Sequence, residues 1–83
     1  MCTQLIPGKL KSELFHLLVS MSSIRSNKAV LSLHDHFVLG FTRAEVCNKH
    51  GIAPSYLSVK IKEFRSLYKI SRTLFLFYLE NDI

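Results

Sequence analysis

Between residues 43 and 72 the chain places Arg43, Lys49, Lys60, Lys62, Arg65, Lys69 and Arg72 against Glu45 and Glu63. Seven cations less two carboxylates leave +5, which is the formal net charge of the whole chain. Elsewhere Lys9, Lys11, Arg25 and Lys28 balance Glu13, Asp35, Glu80 and Asp82. Cations gathered into one segment suit a polyanion, and phosphates of nucleic acid are the natural partner. Thr42, Ser55, Tyr56 and Ser58 add hydroxyls that reach phosphates or base edges, and Val59 suits a thymine methyl. Lys62 lies on the same exposed side, and Arg43, Lys60 and Arg65 are placed to clamp phosphates. Few Arg, Asn or Gln accompany them for bidentate base contacts, so specificity is expected to lean on DNA shape.

Other chemistry finds less support. His34-Asp35-His36 has ligand-type residues, but on a helix consecutive residues fan around the axis and do not converge. No Cys or His pair has the spacing of a structural zinc site. Cys47 and His50 stand three apart on one predicted helix, but a thiol at a helix-packing position is desolvated and its pKa raised, which disfavours a thiolate nucleophile. Glycine-rich phosphate loops and nucleophile elbows are absent. No catalytic residue, metal or cofactor is expected, and the chain reads as a non-enzyme.

The elements that position the cations are legible from residues 42–62, TRAEVCNKHGIAPSYLSVKIK. Thr42 followed by Glu45 has capping-box spacing at a helix N-terminus. The helix over Arg43–His50 has Val46 and Cys47 as its small apolar face. Gly51 follows where a short helix needs a residue that accepts positive φ. Pro54 suits the first turn of the next helix. There Leu57, Ile61, Phe64 and Tyr68, spaced four, three and four, form one buried stripe. Two helices joined by a tight glycine turn match a helix-turn-helix, motif about 42–66, whose second helix enters the major groove. Cys47, Gly51, Leu57 and Ile61 are its structural residues.

The remaining segments complete an all-α reading of four to five helices. Residues 1–9 are expected as an arm broken at Pro7-Gly8, and 10–83 as one domain. A helix from Leu10 or Ser12 to Met21 presents Leu14, Leu17, Leu18 and Met21 on one face, widened by Phe15. Ser26 or Asn27 caps a second helix with Val30, Leu33 and Phe37 inward, and Gly40 is expected to end it as a left-handed cap. The helix from Pro54 either runs long or breaks near Ser71-Arg72. Cys2 and Cys47 make no disulfide framework, so a reducing cytoplasm is expected, with Cys47 a buried thiol. No signal peptide opens the chain. The longest apolar run, Leu74 to Leu79, is far below the roughly 20 residues that span a bilayer, so no membrane partner is expected.

That run cannot face inward on every side of one helix. Phe75, Phe77 and Tyr78 are therefore expected at an oligomer contact, a dimer or higher, although packing back on the first helix is the competing reading. A composition of 48% apolar residues in 83 points the same way, because a domain this small buries only roughly 60–65% of its unfolded surface.

The assembled residues resemble the PapB-like regulators of bacterial fimbrial (pilus adhesin) operons. The likeness begins at LIPGKL (5–10), runs through FHLLVSMSSIRSNKAVLSLHDHFVLG (15–40), is strongest over TRAEVCNKH (42–50) and SYLS (55–58), and fades past Arg65. It implies a small all-helical transcription factor of the bacterial cytoplasm and nucleoid, binding AT-rich double-stranded DNA as an oligomer and activating or repressing by site. Arg43 and Cys47 match the family's Arg and Cys, and Tyr56, Leu57 and Ser58 its recognition helix. Ala53-Pro54-Ser55 replaces the family's Asn-rich turn, and the C-terminal end is more apolar. Family members usually carry a longer N-terminal segment. A rival reading is a helical adaptor or antagonist that regulates through a protein partner without touching DNA.

Overall fold

A computed structural model describes residues 6–81, with the Asn81 side chain excepted. Cys2 and the first five residues of the expected arm lie outside the described residues. Four helices follow in order: α1 (Ser12–Met21), α2 (Asn27–Phe37), α3 (Arg43–His50) and α4 (Pro54–Asn81). Among the described residues there is no strand, so FLFYL at 75–79 is helical, and α4 runs unbroken through Ser71-Arg72.

One aromatic stack organises the core. Phe64 of α4 lies between Phe37 of α2 and Phe15 of α1, with ring centroids at 5.1 and 5.3 Å. Leu18, Leu33, Val46, Leu57 and Ile61 close around it, all nearly inaccessible to solvent. The predicted stripe of α4 is therefore the core contact, with Tyr68 half-buried where the stripe runs out. Burying these side chains is the main stabilising term, about 1.5–3 kcal/mol for each large aliphatic or aromatic residue.

Local signals hold at the helix starts. Ser26 Oγ accepts from the Ala29 amide at the head of α2. At α3 both halves of the capping box form: Thr42 Oγ1 accepts from the Glu45 amide at 3.2 Å, and Glu45 Oε1 accepts from the Thr42 amide at 2.8 Å. Those bonds favour the charged carboxylate and hold Glu45 below the usual range. Gly51 ends α3 at φ 64°, ψ 39°, its amide donating to the Cys47 carbonyl.

Three expectations need correction. Helix α2 stops at Phe37, three residues before Gly40. Gly40 (φ +85°) instead lies against Gly8, where a Cβ would come within 3.0 Å of the Gly40 Cα. That close approach lets the Gly8 and Leu10 amides donate to the Phe37 carbonyl at 2.9 and 3.2 Å, tying the segment before α1 to the end of α2. On α1 the buried pair is Phe15 and Leu18, while Leu14, Leu17 and Met21 face outward, Leu17 with 63% of its surface exposed. In α3 the fully buried residue is Val46; Cys47, expected to be buried, is a free thiol only half-buried at the core's edge. An eight-residue helix lying on a core offers one narrow inner line, and Val46 occupies it.

Candidate nucleic-acid interface

The start of α3 and the first four turns of α4 meet along a shallow cleft of about 270 Å³ lined by Arg43, Ser58, Ile61, Lys62, Arg65, Ser66 and Lys69. Capping fixes where α3 begins, which sets Arg43 at the rim. Its Nη1 donates to Ser58 Oγ at 3.4 Å, a weak bond that orients the guanidinium without neutralising it. Arg65 is held differently: its guanidinium carbon sits 5.7 Å from the centroid of the buried Phe37 ring, a cation–π contact that keeps the half-buried side chain at the cleft. Lys62 and Lys69 are exposed on the same side. Among the described residues no carboxylate lines the cleft.

Of the expected contacts, Arg43, Ser58, Lys62 and Arg65 come together here. Ser55 and Val59 are exposed on the first turns of α4 beside them. Thr42 is adjacent, its hydroxyl oxygen engaged in the cap. Tyr56 and Lys60 do not join the group. Lys60 Nζ lies 3.5 Å from Glu63 Oε1 and 5.6 Å from the Tyr56 ring centroid, on the side of α4 turned from the cleft. Positions 56, 60 and 63 form their own helical line, half a turn from 58, 62, 65 and 69. Ser66 and Lys69 were missing from the expected set. For Lys69 the signal was the spacing of four, three and four from Ser58; Ser66 lies one turn past Lys62.

A second cation of the segment is spent inside the fold. Asp35 of α2, only 6% exposed, accepts from His50 Nε2 at 2.7 Å and from Lys49 Nζ at 3.1 Å. Burial pushes this carboxyl upward, but the bonds from His50 and Lys49 outweigh it and hold the pKa below normal. The network locks the end of α3 onto α2, and it makes Asp35 a joint of the motif. The adjacent His36 is buried, not a surface histidine: it is 4% exposed, and its Nδ1 donates to the Phe41 carbonyl at 2.8 Å. Its Nε2 finds no hydrogen-bond partner among the described residues. Burial lowers the His36 pKa, and Arg43 and Arg65 nearby lower it further, against the raising effect of the Phe41 bond. His34 stands apart, its ring stacked on His16 at 5.8 Å and its Nε2 3.4 Å from Ser12 Oγ.

A different surface lies at the far end. Leu14, Leu17, Leu18 and Met21 of α1 and Phe75, Leu76 and Leu79 of α4 wall an apolar groove of about 710 Å³. Every residue from Thr73 to Glu80 is exposed. No helix among the described residues is long and apolar enough to cross a membrane.

Residues 2–78 match the PapB family profile, described as adhesin biosynthesis transcription regulatory protein. The chain is 44% identical over 75 residues to the regulatory protein FanB of Escherichia coli, covering 86% of this chain and 76% of FanB. It is 32% identical over 78 residues to the major pilus subunit operon regulatory protein PapB of E. coli, covering 94% and 75% of the two chains. The crystal structure of E. coli FocB superposes with a TM-score of 0.86 at 30% identity, over 92% of this chain and 86% of FocB. The capped α3, its glycine turn, the α4 stripe and these likenesses agree: the chain belongs to the PapB family of adhesin biosynthesis transcription regulatory proteins.

Proposed function

We propose that the protein regulates transcription of a bacterial fimbrial adhesin operon by binding double-stranded DNA through the α3–α4 cleft. The observation that carries this reading is the convergence of Arg43, from one helix, with Ser58, Lys62 and Arg65, from another, in a cleft without a carboxylate. Separate helices rarely gather unneutralised cations unless an anion is to lie between them. Family membership supports the regulatory role: FanB and PapB are named as regulatory proteins, and the F1845 and AFA-III proteins of E. coli as adhesin operon regulatory proteins. The cleft offers no Asn or Gln for bidentate adenine contact, and its Arg43 and Arg65 suit the narrow, electronegative minor groove of AT-rich sites recognised by shape.

Subunits associate through the apolar groove and the free end of α4, with Phe75 on its wall and Phe77 and Tyr78 on its outer side, so that several align on one control region. Residues 10–83 work as one unit, in the bacterial cytoplasm at the nucleoid. The same exposed groove favours a second reading, an adaptor that regulates through a protein partner.

Fluorescence anisotropy with duplexes from the DNA flanking a fimbrial operon separates the two. DNA binding predicts cooperative isotherms and an affinity that falls steeply with salt. No affinity even at low salt would leave the adaptor.

A further inference from the structure

We infer that α4 lies lengthwise along one strand's phosphate backbone, with Lys69 as a phosphate contact beyond the helix-turn-helix. The inference rests on the DNA-binding reading above and specifies the docking mode.

Three observations lead to it. First, Lys62, Arg65 and Lys69 line the same cleft as Arg43. Spaced three and four residues apart, they climb about 10 Å along the helix. Successive phosphates of a strand rise about 3.4 Å along the duplex axis but lie roughly twice as far apart along the strand itself, so that climb faces two to three successive phosphates. Second, Lys69 stands roughly 22 Å along the axis from the start of α4. A helix entering steeply by its N-terminus would leave such a cation clear of a major groove only about 8.5 Å deep. Third, the first turns of α4 offer the cleft side only Ser55, Ser58 and Val59, short side chains with little capacity for base readout. Tyr56, the larger side chain, belongs with Lys60 and Glu63 on the other side.

Recognition then divides in two. The row on α4 sets register on one strand, and Arg43, at the head of the cleft on α3, is left to reach across the rim toward a groove. Lys69 is exposed, so its removal should leave the fold intact.

The test joins salt titrations with phosphate ethylation interference. Lys69→Ala should lower the salt slope by about one, as Lys62→Ala does, with sequence preference unchanged. Lys69→Glu should lower it further. Lys60→Ala should leave it at the wild-type value. Ethylation should interfere at consecutive phosphates on one strand per subunit. A wild-type slope for Lys69→Ala, with interference split between the two strands across the major groove, would overturn lengthwise docking while leaving DNA binding intact if Arg43→Ala still lowers the slope. An absence of salt-dependent binding in the wild type would bring down the underlying reading as well.

Discussion

The two halves of α4 are one helix built on opposite plans. From Pro54 to Lys69 it has three distinct sides: a buried line of Leu57, Ile61 and Phe64, a cation line of Lys62, Arg65 and Lys69, and a third side where Lys60 meets Glu63. From Leu74 to Leu79 it is apolar in every direction, and the described fold leaves each of these side chains about half exposed or more. A side chain's effect in the first half depends on which side it occupies. In the second half a substitution acts mainly on exposed apolar surface beside the groove with α1. The helix thus joins the proposed DNA surface, whose orientation is fixed by a core, to the proposed association surface, which projects past that core.

The largest expected effect tests this contrast in stability. Phe64→Ala opens a cavity between Phe15 and Phe37 and should cost about 3–5 kcal/mol, enough to unfold a domain of this size. Leu76→Arg, three turns later, should change the stability of the monomer by no more than about 0.5 kcal/mol. It should nevertheless abolish self-association in sedimentation velocity and flatten the concentration dependence of DNA binding. Urea melts of the two variants under matched conditions would break the comparison if Leu76→Arg proved as destabilising as Phe64→Ala.

Next in size is Asp35→Ala, which strands Lys49 and His50 without their buried acceptor and should cost about 1–3 kcal/mol. Calorimetry that found the variant as stable as wild type would show that the network does not hold α3 to α2. Thr42→Ala removes half of the capping box and should cost about 1 kcal/mol, read in the same way.

Acid offers a subtler lever. The folded pKa of His36 lies below the ordinary histidine value of 6.5, so the unfolded chain binds that proton more readily. The stability it contributes is complete above about pH 6.5 and is lost as pH falls through the lowered folded value. The depressed Asp35 acts in the same direction at lower pH, starting near the ordinary aspartate value of 3.8. Urea midpoints measured from pH 7.5 to 5 should fall for the wild type and fall less for His36→Gln. Equal slopes would remove His36 from the account. The smallest effect is expected from Cys47→Ala, which trims a half-buried side chain and should cost less than about 1 kcal/mol with DNA binding retained.

How much of this was legible depends on the range of the interaction. Thr42, Glu45, Gly51 and Pro54 act on their own neighbours within a turn, so their types and spacing specify α3, its end and the start of α4. The Leu57/Ile61/Phe64 line was readable because a helix repeats it. Asp35 was not, since its partners lie 14 and 15 residues away on another helix, and no local pattern marks a carboxylate that will be buried against them. Gly40 looked like a cap because its real requirement, the close approach of Gly8, exists only in three dimensions. Leu14, Leu17 and Met21 have helical spacing but lie on the α1 face turned away from the core, for periodicity shows that a face is apolar and not what covers it. Within the candidate site, Arg43, Ser58, Lys62 and Arg65 were found from charge and motif register. Lys60 was misassigned to that side because composition counts cations without regard to the side of the helix they occupy.

The central claim is that the cleft beside the first half of α4 binds phosphates and the second half does not. Its most direct test is the slope of log affinity against log salt for wild type, Arg43→Ala and Leu76→Ser on one short duplex that holds a single subunit. Four cleft cations (Arg43, Lys62, Arg65 and Lys69) predict a wild-type slope of roughly −3.5. Arg43→Ala should lower its magnitude by about one, and the neutral Leu76→Ser should leave it unchanged. A flat slope in the wild type, or the same slope with and without Arg43, would contradict the account.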